Sequence, residues 1–172
     1  IDASAGGSIL AADATNIISG TVVTLNASSA ATESVGGGAT HINTSAVTLA
    51  GTAGTGGFFV DEADDVAITS IVVTGVGTVS VTSATGGINR SGGGTNIASG
   101  GNVALAAATG IGRAGPNFLR IQAADIAVVA PEFDIEVVTG TDLASLSIAT
   151  ELSGSVRRIL ADNFSFAVSD TG

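Results

Sequence analysis

Four carboxylates crowd one short stretch, Asp61, Glu62, Asp64 and Asp65, directly after the apolar run Phe58-Phe59-Val60. Carboxylate oxygens on a flexible loop are the ligands that Ca²⁺ prefers, so these four are the candidate metal ligands and Ca²⁺ the candidate cofactor. No EF-hand and no glycine-aspartate nonapeptide surrounds them, and the plainer reading is a solvated acidic loop that keeps its apolar neighbour soluble. A second pair, Asp134 and Glu136, alternates with Ile135 and Val137. Residues two apart on a strand leave one face about 7 Å apart, a separation that suits the two carboxyls of an inverting glycosidase. With no Arg, Lys or His adjacent, a plain solvent face is the favoured reading and no catalytic residue is assigned.

The remaining candidates read as ordinary surface. His41 is the single histidine and has no acid or serine near it in a triad or metal-ligand pattern, so it reads as solvent-facing. Arg157-Arg158 is the one basic pair and offsets nearby acids. Glycosylation sequons stand at Asn26, Asn43, Asn89 and Asn163, tripeptides that arise readily in a Ser/Thr-rich chain. Gly86 to Gly94 is glycine-rich but lacks the Lys-Ser/Thr of a phosphate loop, and reads as a turn.

The elements that must carry these residues are short and repeated. Thr15 to Ala27 and Thr95 to Ala107 share the pattern T-N-I-x-S-G-x-x-V-x-L-x-A, displaced by 80 residues, and Gly6-Gly7 falls onto Gly86-Gly87 at the same offset. We read this as an internal duplication of 6–27 with 86–107 within a single unit spanning 1–172. A unit of short strand, turn and longer alternating strand cannot bury its apolar face alone, so copies must stack. Val23-Thr24-Leu25 returns as Val47-Thr48-Leu49, and Val79 returns as Val103, both at a displacement of 24. Leu119/Ile121, Ile126/Val128 and Phe133/Ile135/Val137 form three alternating strands starting seven residues apart, with Pro131 at a strand start where no ladder donor is needed. Leu146/Ile148 and Phe164/Phe166/Val168 continue the pattern. No segment sustains a 3.6-residue apolar period, so little or no helix is expected.

Three strands spaced by seven make a coil of about 21 residues, and spacings of 24 add a longer loop. Stacked at about 4.8 Å, such coils predict an all-β, parallel β-solenoid of about seven to eight coils rising about 35 Å. An immunoglobulin-like sandwich also uses short strands at regular spacing, but it leaves the repeat unexplained.

Composition narrows the partners. Fifteen acidic residues against five Arg give a net charge of −10, which argues against nucleic acid and an anionic membrane surface. The absence of Cys excludes disulfides and thiolate chemistry. Val66 to Asn89 is uncharged and long enough to span a bilayer. Its Thr, Ser, Gly and β-branched content fits buried strands better, so no membrane insertion is expected. Val168 to Gly172 could run on into another Ile-Asp-Ala start, which marks the unit as a piece of a longer repetitive chain or filament.

Val103-Ala104-Leu105-Ala106-Ala107-Ala108-Thr109-Gly110-Ile111-Gly112 and the following Gly115-Pro116-Asn117-Phe118-Leu119 to Ala127 resemble the filamentous-haemagglutinin family of large bacterial surface proteins. Those repeats show V-x-L-x-A-x-x-G-I-G and G-I-G-x-x-x-P-x-x-L-x-x-x-A-x-x-L. Here Phe118 intervenes before Leu119, and Ile126 stands where Leu is usual. The N-P-N-type secretion motif of that family is absent. The resemblance implies a right-handed parallel β-helix, extracellular at the bacterial surface, serving in adhesion or as a stiff fibre. It carries over no catalytic residue, and fold alone does not fix function. The expected function is therefore a non-enzymatic building block that stacks end to end with neighbouring copies or repeats. The alternative is a solenoid enzyme or binding module acting on surface polysaccharide, with a host or neighbouring-cell glycan or protein as the further partner.

Overall fold

The computed structural model describes residues 1–27, 32–112 and 118–138, together with strands at 145–149, 157–161 and 167–170 that are described largely as backbone. Among them there is no helix, and seventeen strands form one sheet. The first are β1 (Asp2–Ser4), β2 (Ile17–Asn26), β3 (Ser34–Val35), β4 (Ile42–Ala53), β5 (Gly57–Glu62) and β6 (Val66–Val73). Next come β7 (Val79–Ser83), β8 (Gly87–Arg90), β9 (Ile97–Ser99), β10 (Asn102–Ala107) and β11 (Gly110–Ile111). The chain continues through β12 (Leu119–Gln122), β13 (Asp125–Val129), β14 (Phe133–Val137), β15 (Ser145–Ala149), β16 (Arg157–Ala161) and β17 (Ala167–Asp170).

Pairing between these strands is parallel, each lying on one from the preceding coil. One column of partners runs Ile9, Val35, Phe58, Val79, Val103, Ile126, Leu146. Another runs Ala3, Leu25, Gly51, Ile71, Ile97, Ile121, Val137. The architecture is a β-solenoid of about six turns along these columns, slightly fewer than the seven to eight expected. Turns are unequal because loops are inserted at their corners. Ile9 to Val35 takes 26 residues, whereas Ile121 to Val137 takes 16. Strands β16 and β17 carry the pairing onward from β14 and β15. The uncharged stretch 66–89 forms β6, β7 and β8, and no helix among the described residues is long and apolar enough to cross a membrane.

Strand alternation sends every second side chain inward, and these make one continuous core. Leu25, Leu49, Phe58, Ile68, Ile71, Ile88, Ile97, Ile111, Ile121 and Phe133 have no solvent exposure. Each fully buried side chain of this size contributes about 1.5–3 kcal/mol. Sizes are complementary between rungs. A Cβ on Gly51 would meet the Phe58 ring and the Leu25 carbonyl, so the glycine in that column makes room for the aromatic ring of the next strand. The three strands expected at seven-residue spacing are β12, β13 and β14, with Leu119, Ile121, Ile126, Val128, Phe133, Ile135 and Val137 all buried.

One expected register is corrected. Val79 does pair with Val103, but Val23 pairs with Leu49 and not Val47. Inward alternation breaks at Ala46-Val47-Thr48, leaving Val47 64% exposed where Val23 is fully buried. The chain turns a corner there without leaving the strand, so a matching tripeptide lands two residues out of phase.

Polar groups enter the core where they close backbone hydrogen bonds. Buried Asn96 donates through Nδ2 to the carbonyls of Ile68 and Ser91, and its Oδ1 accepts from the Arg120 amide. Ser83 Oγ donates to the Asp64 carbonyl, and Ser99 Oγ to that of Gly77. Each bond satisfies a corner group that would otherwise be costly to bury.

Candidate functional site

The four acidic candidates do not converge. Asp61 and Glu62 are consecutive on β5, so they point to opposite faces: Asp61 outward and Glu62 into the core, 1% exposed. Glu62 accepts a hydrogen bond from Thr44 Oγ1 at 2.7 Å and from the amides of Ala46 and Ala63 at 3.0 Å. Burial pushes its carboxyl above the ordinary range, against the opposing pull of these bonds. Asp65 Oδ1 accepts from the Gly87 amide in the next coil, and Asp64 is exposed. The reading of a uniformly solvated acidic loop is therefore corrected at Glu62. Among the described residues no three His, Asp or Glu side chains are grouped to hold a metal ion.

Asp134 and Glu136 are also corrected. Asp134 is buried at 7% exposure and not on a solvent face. Glu136 is paired with Arg120, one coil below, through Nη2 to Oε1 at 3.1 Å and Nε at 3.0 Å from Oε2. The cation missing from the neighbouring sequence is supplied by stacking, since Arg120 and Glu136 are partners in the β12–β14 register. Both carboxylates keep the face opposite Phe133, Ile135 and Val137, as their alternation predicts, and what is corrected is their solvation: Glu136 is ion-paired and Asp134 is covered. Arg157 and Arg158 stand in register with Phe133 and Asp134 in β16, and their side chains, like the sequon at Asn163, lie outside the described residues. Gly86 to Gly94, expected as a turn, holds the whole of β8 (Gly87–Arg90) and only then a corner loop, with Gly92 and Gly94 at positive φ.

Among the described residues a concavity is built elsewhere, by two insertions at one corner. Val35 and Ile42 sit on Phe58 and Val60, two adjacent inward positions of β5, so residues 36–41 are looped out between them. The insertion closes on itself through reciprocal hydrogen bonds between Gly37 and Thr40, at 2.9 and 3.0 Å. Gly36 enters it at φ 67° with a Cβ position only 2.5 Å from the Phe59 carbonyl, so glycine is required there. One coil earlier, residues 10–16 loop out at the same corner. Asp13 ties that loop by accepting from the Thr15 amide and hydroxyl and from Asn16 Nδ2. Hydrogen bonds from Thr15, then Asn16, hold the Asp13 carboxyl below its ordinary range.

Between the loops lies a groove of about 470 Å³, lined among others by Asp13, Ala14, Thr40, His41, Asn43 and Asp61. His41 Nδ1 is 2.7 Å from Asp61 Oδ1, and its ring lies 5.6 Å from that of Phe59. His41 is thus not a solvent-facing filler but a part-buried group held by an acid twenty residues on. Asn43 Nδ2 donates to the Ala14 carbonyl at 2.7 Å, pinning the 10–16 loop to β4. A second hollow of about 250 Å³ shares Ala14, Asn43 and Asp61 and runs on to Ala84. Sequence reading missed this site because its members are far apart along the chain. The signal available was the coil length itself, which makes residues some twenty apart neighbours. Comparison with known protein families, with curated proteins and with solved structures finds no match.

Proposed function

We propose that the chain is a non-enzymatic structural building block of an extracellular filament or large cell-surface adhesin, stacking end to end through its coils. The observation that carries this reading is the in-register parallel stacking of the coils, whose inward column runs unbroken from Ile9 through Val35, Phe58, Val79, Val103 and Ile126 to Leu146. Each coil presents a row of strand edges to the next, so the same pairing can extend a stack through further repeats or neighbouring copies. The surface location rests on the resemblance to haemagglutinin repeats, with which a Cys-free acidic chain is compatible.

Cryo-electron microscopy of the native material tests the reading. Density continuing past the first coil into another coil, at a rise of about 4.8 Å, is the expected result. Discrete particles ending at residues 1–20 would overturn it. Ile9→Lys, which places a charge in the column that Ile9 shares with Val35, is expected to block assembly seen by sedimentation in the parent.

A further inference from the structure

The stacking that aligns the coils also sorts their charge along the stack. None of the fifteen acidic residues lies between 66 and 124, where three of the five arginines stand. Successive rungs follow the sequence, so the chain carries an acid-free belt between two acidic ends. From this belt to its border, β7, β10 and β13 continue in one register without insertion. Their outward residues form two columns, Ser80-Ala104-Ala127 and Thr82-Ala106-Val129. The first column continues to Ser147 on β15. All of these residues are half-buried or exposed, none is charged and none is larger than valine. Asp61, one rung before Thr82, and Asp125, at the start of β13, bound the patch.

The chemistry of the patch selects its occupant. A nucleic acid or an anionic lipid needs cations, and a sugar ring favours an aromatic platform; these columns hold neither. A peptide strand adds to a sheet edge and not to a face. A flat, uncharged sheet face is matched by another such face, packed at about 10 Å or less. Charge points to the same partner. Two chains of net charge −10 repel each other least where each presents its acid-free belt. We propose that this face pairs side by side with the same face of a second copy, centred on Ala104 and Ala127. Four rungs of about five residues give roughly 300 Å² per copy, well below the about 800 Å² of a standard interface. The contact is therefore weak between single units and gains by repetition where units are stacked. That gain rests on the filament reading; the contact itself does not.

The chain has no Cys, so single cysteines joined by a short bismaleimide report the contact. Ala104→Cys, Ala127→Cys and Thr69→Cys are compared in the full chain at low and high salt. Thr69 is exposed on β6, which pairs with neither β7 nor β10, and serves as the control. Identical positions in copies stacked end to end lie about six turns apart, roughly 30 Å, so the linker reads lateral pairing alone. The patch cysteines are expected to form cross-linked dimer at least about fivefold faster than Thr69→Cys. The excess is expected to grow as salt screens the repulsion between like-charged copies. Adding Thr82→Glu or Ala106→Glu, both outward, to the Ala127→Cys chain is expected to bring its rate down to that of the control. Patch rates no greater than the control at either salt, or a rate that neither added Glu lowers, would overturn the proposal. Filaments without patch cross-linking would sink this inference and leave the filament reading standing, whereas cross-linked pairs without filaments would do the reverse.

Discussion

Thr15–Ala27 and Thr95–Ala107 share one sequence pattern and occupy different places in the coil. In the second stretch Ile97 is fully buried in the column of Leu25 and Ile121, Ser99 is buried, and Gly100-Gly101 turns the chain into β10. In the first, Ile17 is 56% exposed, Ser19 is exposed, and the strand β2 runs unbroken to Asn26. Asn16 lies at the surface where Asn96 is buried and closes the backbone of three neighbouring segments. Only the later halves agree, with Val23/Leu25 and Val103/Leu105 all inward. An offset of 80 residues is not a whole number of turns, so the two stretches meet different neighbours. A pattern supplies two strand halves and a corner; the coil below decides which way the first half faces.

The widest separation between the copies is expected at their shared isoleucine. Ile97→Ala removes a fully buried side chain from a closed column and is expected to cost about 2–5 kcal/mol. Ile17→Ala is expected to stay within about 0.5 kcal/mol. Urea unfolding of both variants measures the difference, and equal losses would mean that the copies are equivalent after all. A smaller contrast lies at the shared glycine corner. A Cβ on Gly101 would run into the Val76 carbonyl oxygen, backbone that cannot give way, so Gly101→Ala is expected to cost about 1–3 kcal/mol. The first copy has Thr21 at that position without difficulty. Gly20→Ala would meet its nearest atom at 3.5 Å, an ordinary contact, and is expected to be neutral or stabilising by about 0.4–1 kcal/mol.

Much of the fold was legible because alternation is local. The strands holding Leu119/Ile121, Ile126/Val128 and Phe133/Ile135/Val137 could be read directly, since each needs only its own odd-even pattern to declare a buried face. What alternation cannot reveal is a phase change within a strand, and Val47 was misplaced for that reason. The carboxylates were harder still. Consecutive acids on a strand cannot all be solvated on one side, so Glu62 had to face inward once β5 was extended from Phe58. Its partners, Thr44 and the amide of Ala46, come from β4 and have no signature beside Glu62 itself. The groove was illegible for the same reason, since His41 and Asp61 meet only after the coil length is known.

The two copies also end on different inner columns, and this gives the finest test of their difference. Ala27 lies next to Ala53 and Val73, an apolar column. Ala107 stacks on Ser83, which stacks on Glu62, which stacks on Thr44. The second copy thus terminates on a column containing an ionisable group. Burial raises the Glu62 carboxyl above its unfolded value, so the folded chain holds that proton more tightly than the unfolded chain. The resulting stabilisation is fully present below the unfolded pKa, about 4.5, and is lost as pH rises through the higher folded value. Glu62→Gln is neutral at every pH, and its amide can accept from Ala46 and Ala63 while donating to Thr44. The parent should therefore gain stability relative to Glu62→Gln as pH falls from 7 toward 4.5, although the many other carboxylates shape both curves alike. Unfolding midpoints of the two proteins across that range give the difference directly. A difference that stays flat, or that moves against the parent on acidification, would show that hydrogen bonds from Thr44, Ala46 and Ala63 outweigh desolvation in this column.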